Sequence, residues 1–170
     1  MAKVDIKISS QGLKRLEAYE GFSAAPYKDI AGFWTIGYGH NLGKKEPPKS
    51  TLVTRAQAEK DLLALVAPIE EFINKDGISD QKIFDSLCSL IYNVGRGEYY
   101  TSHLRKFLIQ KISIFRLKPY WLSFCHYTDQ FGDLRLSMGL YSRRQNEYNY
   151  ACGETDILIT DREHNKRKPS

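Results

Sequence analysis

The chain has few cysteines, no long apolar run and no concentration of metal-ligating residues. Each shortage excludes something. Cys88, Cys125 and Cys152 are too few and too scattered for a disulfide framework, and their spacing matches no zinc motif. Cys88 stands among apolar residues at helical spacing, where a buried, inert thiol is expected; the pattern reads as a protein made in a reducing compartment. No stretch approaches the roughly 20 apolar residues of a membrane span. The start, MAKVDIKISS, alternates in polarity and does not read as a secretory signal. Four histidines lack ligand spacing, no glycine-rich phosphate loop precedes a helix, and no serine elbow is present, so neither metal nor cofactor is expected.

What remains is an ordinary globular composition. The 170 residues are 42% hydrophobic and 26% charged, enough for one compact domain or two lobes with a real core. A formal net charge of +5 favours anionic surfaces such as wall polymers. It is spread along the chain without a recognition-helix pattern, which argues against nucleic acid as a partner. No internal repeat is visible.

Ser9 or Ser10 can cap a first helix whose apolar face is Leu13, Leu16 and Tyr19 or Ala18, with Gly21 stopping it. Phe33, Trp34, Ile36 and Tyr38, interleaved with Gly32, Gly37 and Gly39, read as short strands in a small β-hairpin. Thr54 to Gln57 is a capping-box pattern opening a long helix, whose apolar positions are Ala58, Leu62, Leu65, Ile69 and Phe72. Pro68 inside that run predicts a kink or a break into two helices. A third helix starts at Ser79 and carries Ile83, Phe84, Leu87, Leu90, Ile91 and Val94; Gly95 and Gly97 end it. Ser102 can cap the next helix. Residues 107 to 127 are aromatic and basic, and Pro119 divides them into two pieces. A last helix runs from Gly139 to Ala151 and stops at Gly153, and the charged residues 161–170 read as a disordered tail.

The chemistry concentrates in residues 20 to 40, EGFSAAPYKDIAGFWTIGYGH. Glu20 closes a helix and Asp29 follows in a hairpin. Two carboxyl groups so placed suit glycoside hydrolysis, in which one acid protonates the leaving oxygen while a second carboxylate works on the other face of the sugar. Glu20 is the candidate general acid, which must hold its proton near neutral pH, a condition that partial burial favours. Asp29 is the candidate for orienting a water and stabilising positive charge on the ring, and Thr35 can hydrogen-bond that water. Alone, each has a plainer role, as a surface glutamate, a turn-forming aspartate and a β-branched strand residue.

Glu20-Gly21, Pro26-Tyr27, Asp29, Gly32 and Thr35-Ile36-Gly37-Tyr38-Gly39-His40 together resemble the pattern of the phage-type lysozymes, the endolysins of tailed bacteriophages in glycoside hydrolase family 24. The likeness continues more loosely through Phe84 to Leu87, Tyr92 to Gly95, Ser102, Leu104 to Lys106, Gly139 to Arg144 and Glu147. It weakens after about Phe107.

The resemblance implies an α+β, mainly α-helical, lysozyme-like fold of two lobes. A small N-terminal β-hairpin lobe (about 9–53) and a C-terminal helical lobe (about 79–153) would be joined by a long helix (about 54–75), all within one catalytic domain of residues 1–160. It implies a muramidase cleaving the β-1,4 bond between N-acetylmuramic acid and N-acetylglucosamine in bacterial peptidoglycan. By the same precedent the mechanism is inverting, with carboxyl groups on the order of 6.5–9.5 Å apart. Tyr92 and Ser102 fall where the family contacts sugar. His40 is expected as a structural histidine near the site, with Asp61 or Glu70 as its acidic partner. Arg143 and Arg144 match a basic pair, expected in a structural salt bridge. The expected partner is peptidoglycan, met by a monomer released through a holin-type pore or a secretion carrier, with an inhibitor protein as a further possible partner. Phage lysis and a delivered antibacterial effector both fit. A non-catalytic wall-binding module on the same scaffold is the alternative.

Overall fold

Ser9 starts the first helix: its hydroxyl accepts the Gly12 amide at 3.0 Å and its carbonyl accepts that of Leu13 at 2.8 Å. Helix α1 (Ser10–Glu20) buries Leu13 and Leu16 and ends at Gly21, whose φ of 70° is a left-handed conformation that only glycine adopts freely. The computed structural model describes residues 5–29 and 31–154; the tail at 161–170 lies outside them.

Three short antiparallel strands follow, β1 (Ser23–Lys28), β2 (Trp34–Gly37) and β3 (His40–Gly43), in the order β1-β2-β3. The expected hairpin is thus a three-stranded sheet, because the chain reverses again at Tyr38-Gly39 and His40 pairs back on Ile36. Gly37 has φ 66°, and a Cβ there would lie 2.9 Å from that of Ala58. Its missing side chain lets β2 approach α2 (Arg55–Lys75).

Helix α2 opens on Thr54, whose hydroxyl accepts the Gln57 amide at 3.2 Å, while the Gln57 side chain bonds Asp61 at 2.9 Å. The helix runs through Pro68 as a single element, so no break occurs there. Its buried apolar residues are Ala58, Leu62, Val66, Ile69 and Ile73; Leu65 is 40% exposed. The buried stripe therefore takes Val66 and Ile73 instead of Leu65 and Phe72. Arg55 lies 4.5 Å over the Phe22 ring, and Phe22 packs at 5.5 Å on Tyr38, tying the start of α2 to the sheet.

Helix α3 (Gln81–Val94) is capped by Asp80, one residue later than expected, with its carboxylate accepting the Ile83 amide at 3.0 Å. Phe84, Leu87, Cys88, Leu90 and Ile91 are all buried, the mark of a central helix. Burial pushes the Cys88 thiol well above its ordinary range, so it stays protonated and inert. Asp80→Ala removes one cap and is expected to cost about 1 kcal/mol, lowering the melting temperature by about 2–4 °C. A thermal denaturation curve checks it.

A short helix, α4 (Arg96–Tyr100), intervenes before α5 (His103–Ile109), which Ser102 caps. Pro119 stands in the first turn of α6 (Lys118–Leu122), where a missing amide costs nothing, so it begins a helix instead of dividing one. A hairpin of β4 (His126–Thr128) and β5 (Leu134–Leu136) leads to α7 (Met138–Ala151), whose cap is Ser137. Among the described residues, the regular structure of the C-terminal portion is thus helical apart from this hairpin.

The chain divides into two compact units. Among the described residues, one is formed by those up to Leu13 and from Ile69 onward, and the other by Lys14–Pro68. In the first unit α7 packs on α3 and α6. Its N-terminal residues are held by two buried carboxylates. Glu70 accepts the Ile8 amide at 2.8 Å and Lys7 Nζ at 2.9 Å, and Asp85 takes the Ser9 amide at 2.9 Å, the Ser9 hydroxyl and Tyr150 at 3.2 Å.

Candidate active site

The last residue of α1 is Glu20. It is half-buried, with its Oε1 enclosed by protein. Asp29 follows β1, and its amide donates to the Phe33 carbonyl while its Oδ1 accepts the Phe33 amide, both at 2.8 Å. The Gly32 amide closes the same turn on the Asp29 carbonyl at 3.0 Å. One carboxylate oxygen is therefore fixed by backbone, which sets the direction of the other. Thr35 lies in β2, 5% exposed, paired with Tyr27 on one side and Asn41 on the other.

The two carboxylates act on a common neighbour. Burial first, then the charge of Glu20 and then that of Asp29, raise the Tyr27 phenol above its ordinary range. Glu20, Asp29 and Thr35 thus belong to one unit, with both carboxylates in electrostatic reach of a single hydroxyl. His40, the first residue of β3, stands in the same sheet and is half-buried. Of the two acids considered for it, Asp61 bonds Gln57, and Glu70 is engaged with Lys7 and the Ile8 amide.

Tyr92 and Ser102 lie in the other unit. Tyr92 is half-buried near the end of α3. The Ser102 hydroxyl accepts the Arg105 amide at 3.1 Å and donates to the Tyr99 carbonyl at 2.7 Å, so its oxygen caps α5. It lines an open groove with Tyr100, His103 and Lys106. Arg105 also lines it, fixed by a bidentate pair with Asp76 at 2.8 and 2.6 Å. Arg143 and Arg144 converge on Glu147 at 3.1 and 2.8 Å, all three buried. Glu147 marked the end of the motif in sequence, and its place as the centre of a buried charge cluster was not readable from spacing. Among the described residues no group of three or more His, Cys, Asp or Glu is placed to hold a metal ion.

This arrangement has relatives. The chain is 35% identical over 106 residues to an endolysin of Acyrthosiphon pisum secondary endosymbiont phage 1, covering 58% of this chain and 67% of that one. It is 37% identical over 93 residues to the SAR-endolysin of Enterobacteria phage P21, where the match covers 52% of this chain but only 53% of the relative. Among solved structures, an endolysin from Escherichia coli O157:H7 phage FAHEc1 superposes with a TM-score of 0.78 at 28% identity, over 88% of this chain and 95% of that one. The muramidase domain of SpmX from Asticaccaulis excentricus shares the fold, with a TM-score of 0.74 at 23% identity over 85% and 97% of the two chains. The phage lysozyme family model matches residues 17–147, from the last turn of α1 to the buried Glu147. The α+β architecture and this match agree: the chain belongs to the phage lysozyme family.

Proposed function

We propose that the protein is a muramidase that hydrolyses the β-1,4 bond between N-acetylmuramic acid and N-acetylglucosamine in peptidoglycan. The observation that carries this reading is the pairing of two carboxyl groups, Glu20 at a helix end and Asp29 in a backbone-fixed turn, close enough to act on one phenol. Family membership supplies the substrate class.

In this reading Glu20 donates its proton to the departing glycosidic oxygen. Asp29 holds the attacking water by Oδ2, because Oδ1 is committed to the Phe33 amide. As the leaving oxygen departs, positive charge grows on the anomeric carbon, and the Asp29 carboxylate stabilises it. Thr35, across the ladder, accepts or donates to the same water. Attack from the face opposite the leaving group inverts the anomeric centre and gives the α-anomer first. Tyr92 and Ser102 are further proposed sugar contacts.

The test is loss of turbidity by permeabilised bacterial cells, with the released fragments weighed by mass spectrometry. Reducing N-acetylmuramic acid ends are expected; anhydro-muramic ends or intact walls would overturn the hydrolytic reading. Asp29→Asn keeps the shape of the turn but weakens both water activation and charge stabilisation. It is expected to slow wall hydrolysis about a hundredfold, measured as initial rate at matched enzyme concentration.

A further inference from the structure

The β1–β2 pairing slips immediately before Tyr27. Ser23 faces Gly37 and Tyr27 faces Thr35, so β1 carries two residues more than β2 over that span. Ala24, Ala25 and Pro26 fill the irregularity, and Pro26, with no amide to give a ladder, suits such a bulge. Bulges re-aim the side chain that follows them. After this one the ladder is regular. Lys28 faces Trp34 with its ammonium 5.7 Å from the ring, which marks that pair as sharing one side of the sheet. Tyr27 and Thr35, the adjacent pair, share the other side.

Thr35 is 5% exposed and Tyr27 is 43% exposed. On this side of the sheet a buried hydroxyl is thus followed outward by a large, half-open one. Asp29 comes two residues after Tyr27, the strand period, and its backbone bond to Phe33 extends the same pairing. We infer that Tyr27 is a substrate-contacting residue of this site, donating its O–H to the polar edge of the sugar held between Glu20 and Asp29. The inference rests on the hydrolytic reading of those two carboxyls.

The electrostatics select the role. Ionisation of a phenol beside Glu20 and Asp29 is opposed by both charges and by burial. Tyr27 is therefore a neutral donor across the working pH range and does not act as a base. Its ring can lie along a pyranose while its oxygen reads an equatorial hydroxyl or an N-acetyl carbonyl.

Tyr27→Phe removes the donor and keeps the ring. The experiment measures kcat, KM and melting temperature for wild type, Tyr27→Phe and Glu20→Gln on a soluble oligosaccharide of alternating N-acetylglucosamine and N-acetylmuramic acid. The expected result is a kcat/KM lowered about tenfold in Tyr27→Phe at an unchanged melting temperature. Full kcat/KM in Tyr27→Phe, with Glu20→Gln inactive, overturns the role of Tyr27 and leaves the hydrolytic reading intact. A loss that follows a lowered melting temperature, and vanishes in assays well below it, assigns the phenol to strand packing and also overturns it. Wild-type rates in Glu20→Gln would overturn the reading of the carboxyls themselves.

Discussion

Glu20→Gln is expected to leave bacterial walls intact, with hydrolysis at least about a thousandfold below wild type. Glutamine has the shape of glutamate and keeps an acceptor oxygen, so it fits the end of α1 before the Gly21 turn. The helix is anchored by Leu13 and Leu16, both buried. What disappears is the transferable proton. Without it the leaving sugar must depart as a poor alkoxide, and general acid catalysis of this kind contributes about 10²–10⁴-fold. A thousandfold loss corresponds to roughly 4 kcal/mol of transition-state stabilisation. The check has two parts, turbidity decay on permeabilised cells and a circular-dichroism melt. A rate within tenfold of wild type, in a protein that melts normally, would remove Glu20 from the role of acid.

The second large effect concerns stability. Glu147 is 1% exposed and stands where α3, α6 and α7 meet. Its Oε1 accepts Ser89 Oγ at 2.6 Å, Arg144 at 2.9 Å and Arg143 at 3.1 Å, and Oε2 accepts the Trp121 indole at 3.4 Å. Arg143 also donates to the Ser89 carbonyl at 3.1 Å. Glu147→Ala removes the carboxylate on which two buried guanidinium groups and a buried indole N–H converge. Removing one member of a buried ion pair costs about 3–5 kcal/mol, since the buried charges left behind lose a compensating partner. For a chain of this size that is a fall in melting temperature of roughly 10 °C. Urea unfolding followed by tryptophan fluorescence measures it, and Trp121 is a reporter in the cluster itself. A shift below 1 kcal/mol would mean that the arginines find other partners or water.

Much of this was readable in the chain, and the exceptions share physical causes. The caps at Ser9, Thr54 and Ser102 were visible because a hydroxyl before an apolar run has a local job. The glycines of the 35–40 segment marked strands and turns for the same reason, and Gly37 answers to Ala58 as well. At Pro68 the helix continues without a break, with Val66 and Ile69 buried on either side; Pro119 was misread, since it sits in a first turn, where it is welcome. The β4–β5 hairpin has no buried face for a sequence pattern to report, since Leu134, Arg135 and Leu136 are all exposed. The second reversal, into β3, depends on pairing between His40 and Ile36 that no local signal reports. Glu20, Asp29 and Thr35 were singled out by motif. Tyr27 stood in that motif without a role, because the two charges that act on it come from residues seven earlier and two later and meet only in the folded sheet.

The hold of Asp85 and Glu70 on residues 7 to 9 has a consequence for how the chain comes off the ribosome. Ser9 bonds Asp85 across 76 positions, and Tyr150 reaches back to Gln11 across 139. The unit that contains both ends of these bonds stays unfinished until its last helix has emerged, while residues 14 to 68, all contiguous, need nothing made later to be present in full. Synthesis therefore completes the stretch carrying Glu20 and Asp29 first and closes the larger unit last, by a long-range step whose loop entropy makes it the slow one. A nascent chain truncated before Tyr150 carries both carboxyls of the site and lacks the phenol that bonds Asp85, the carboxylate holding Ser9.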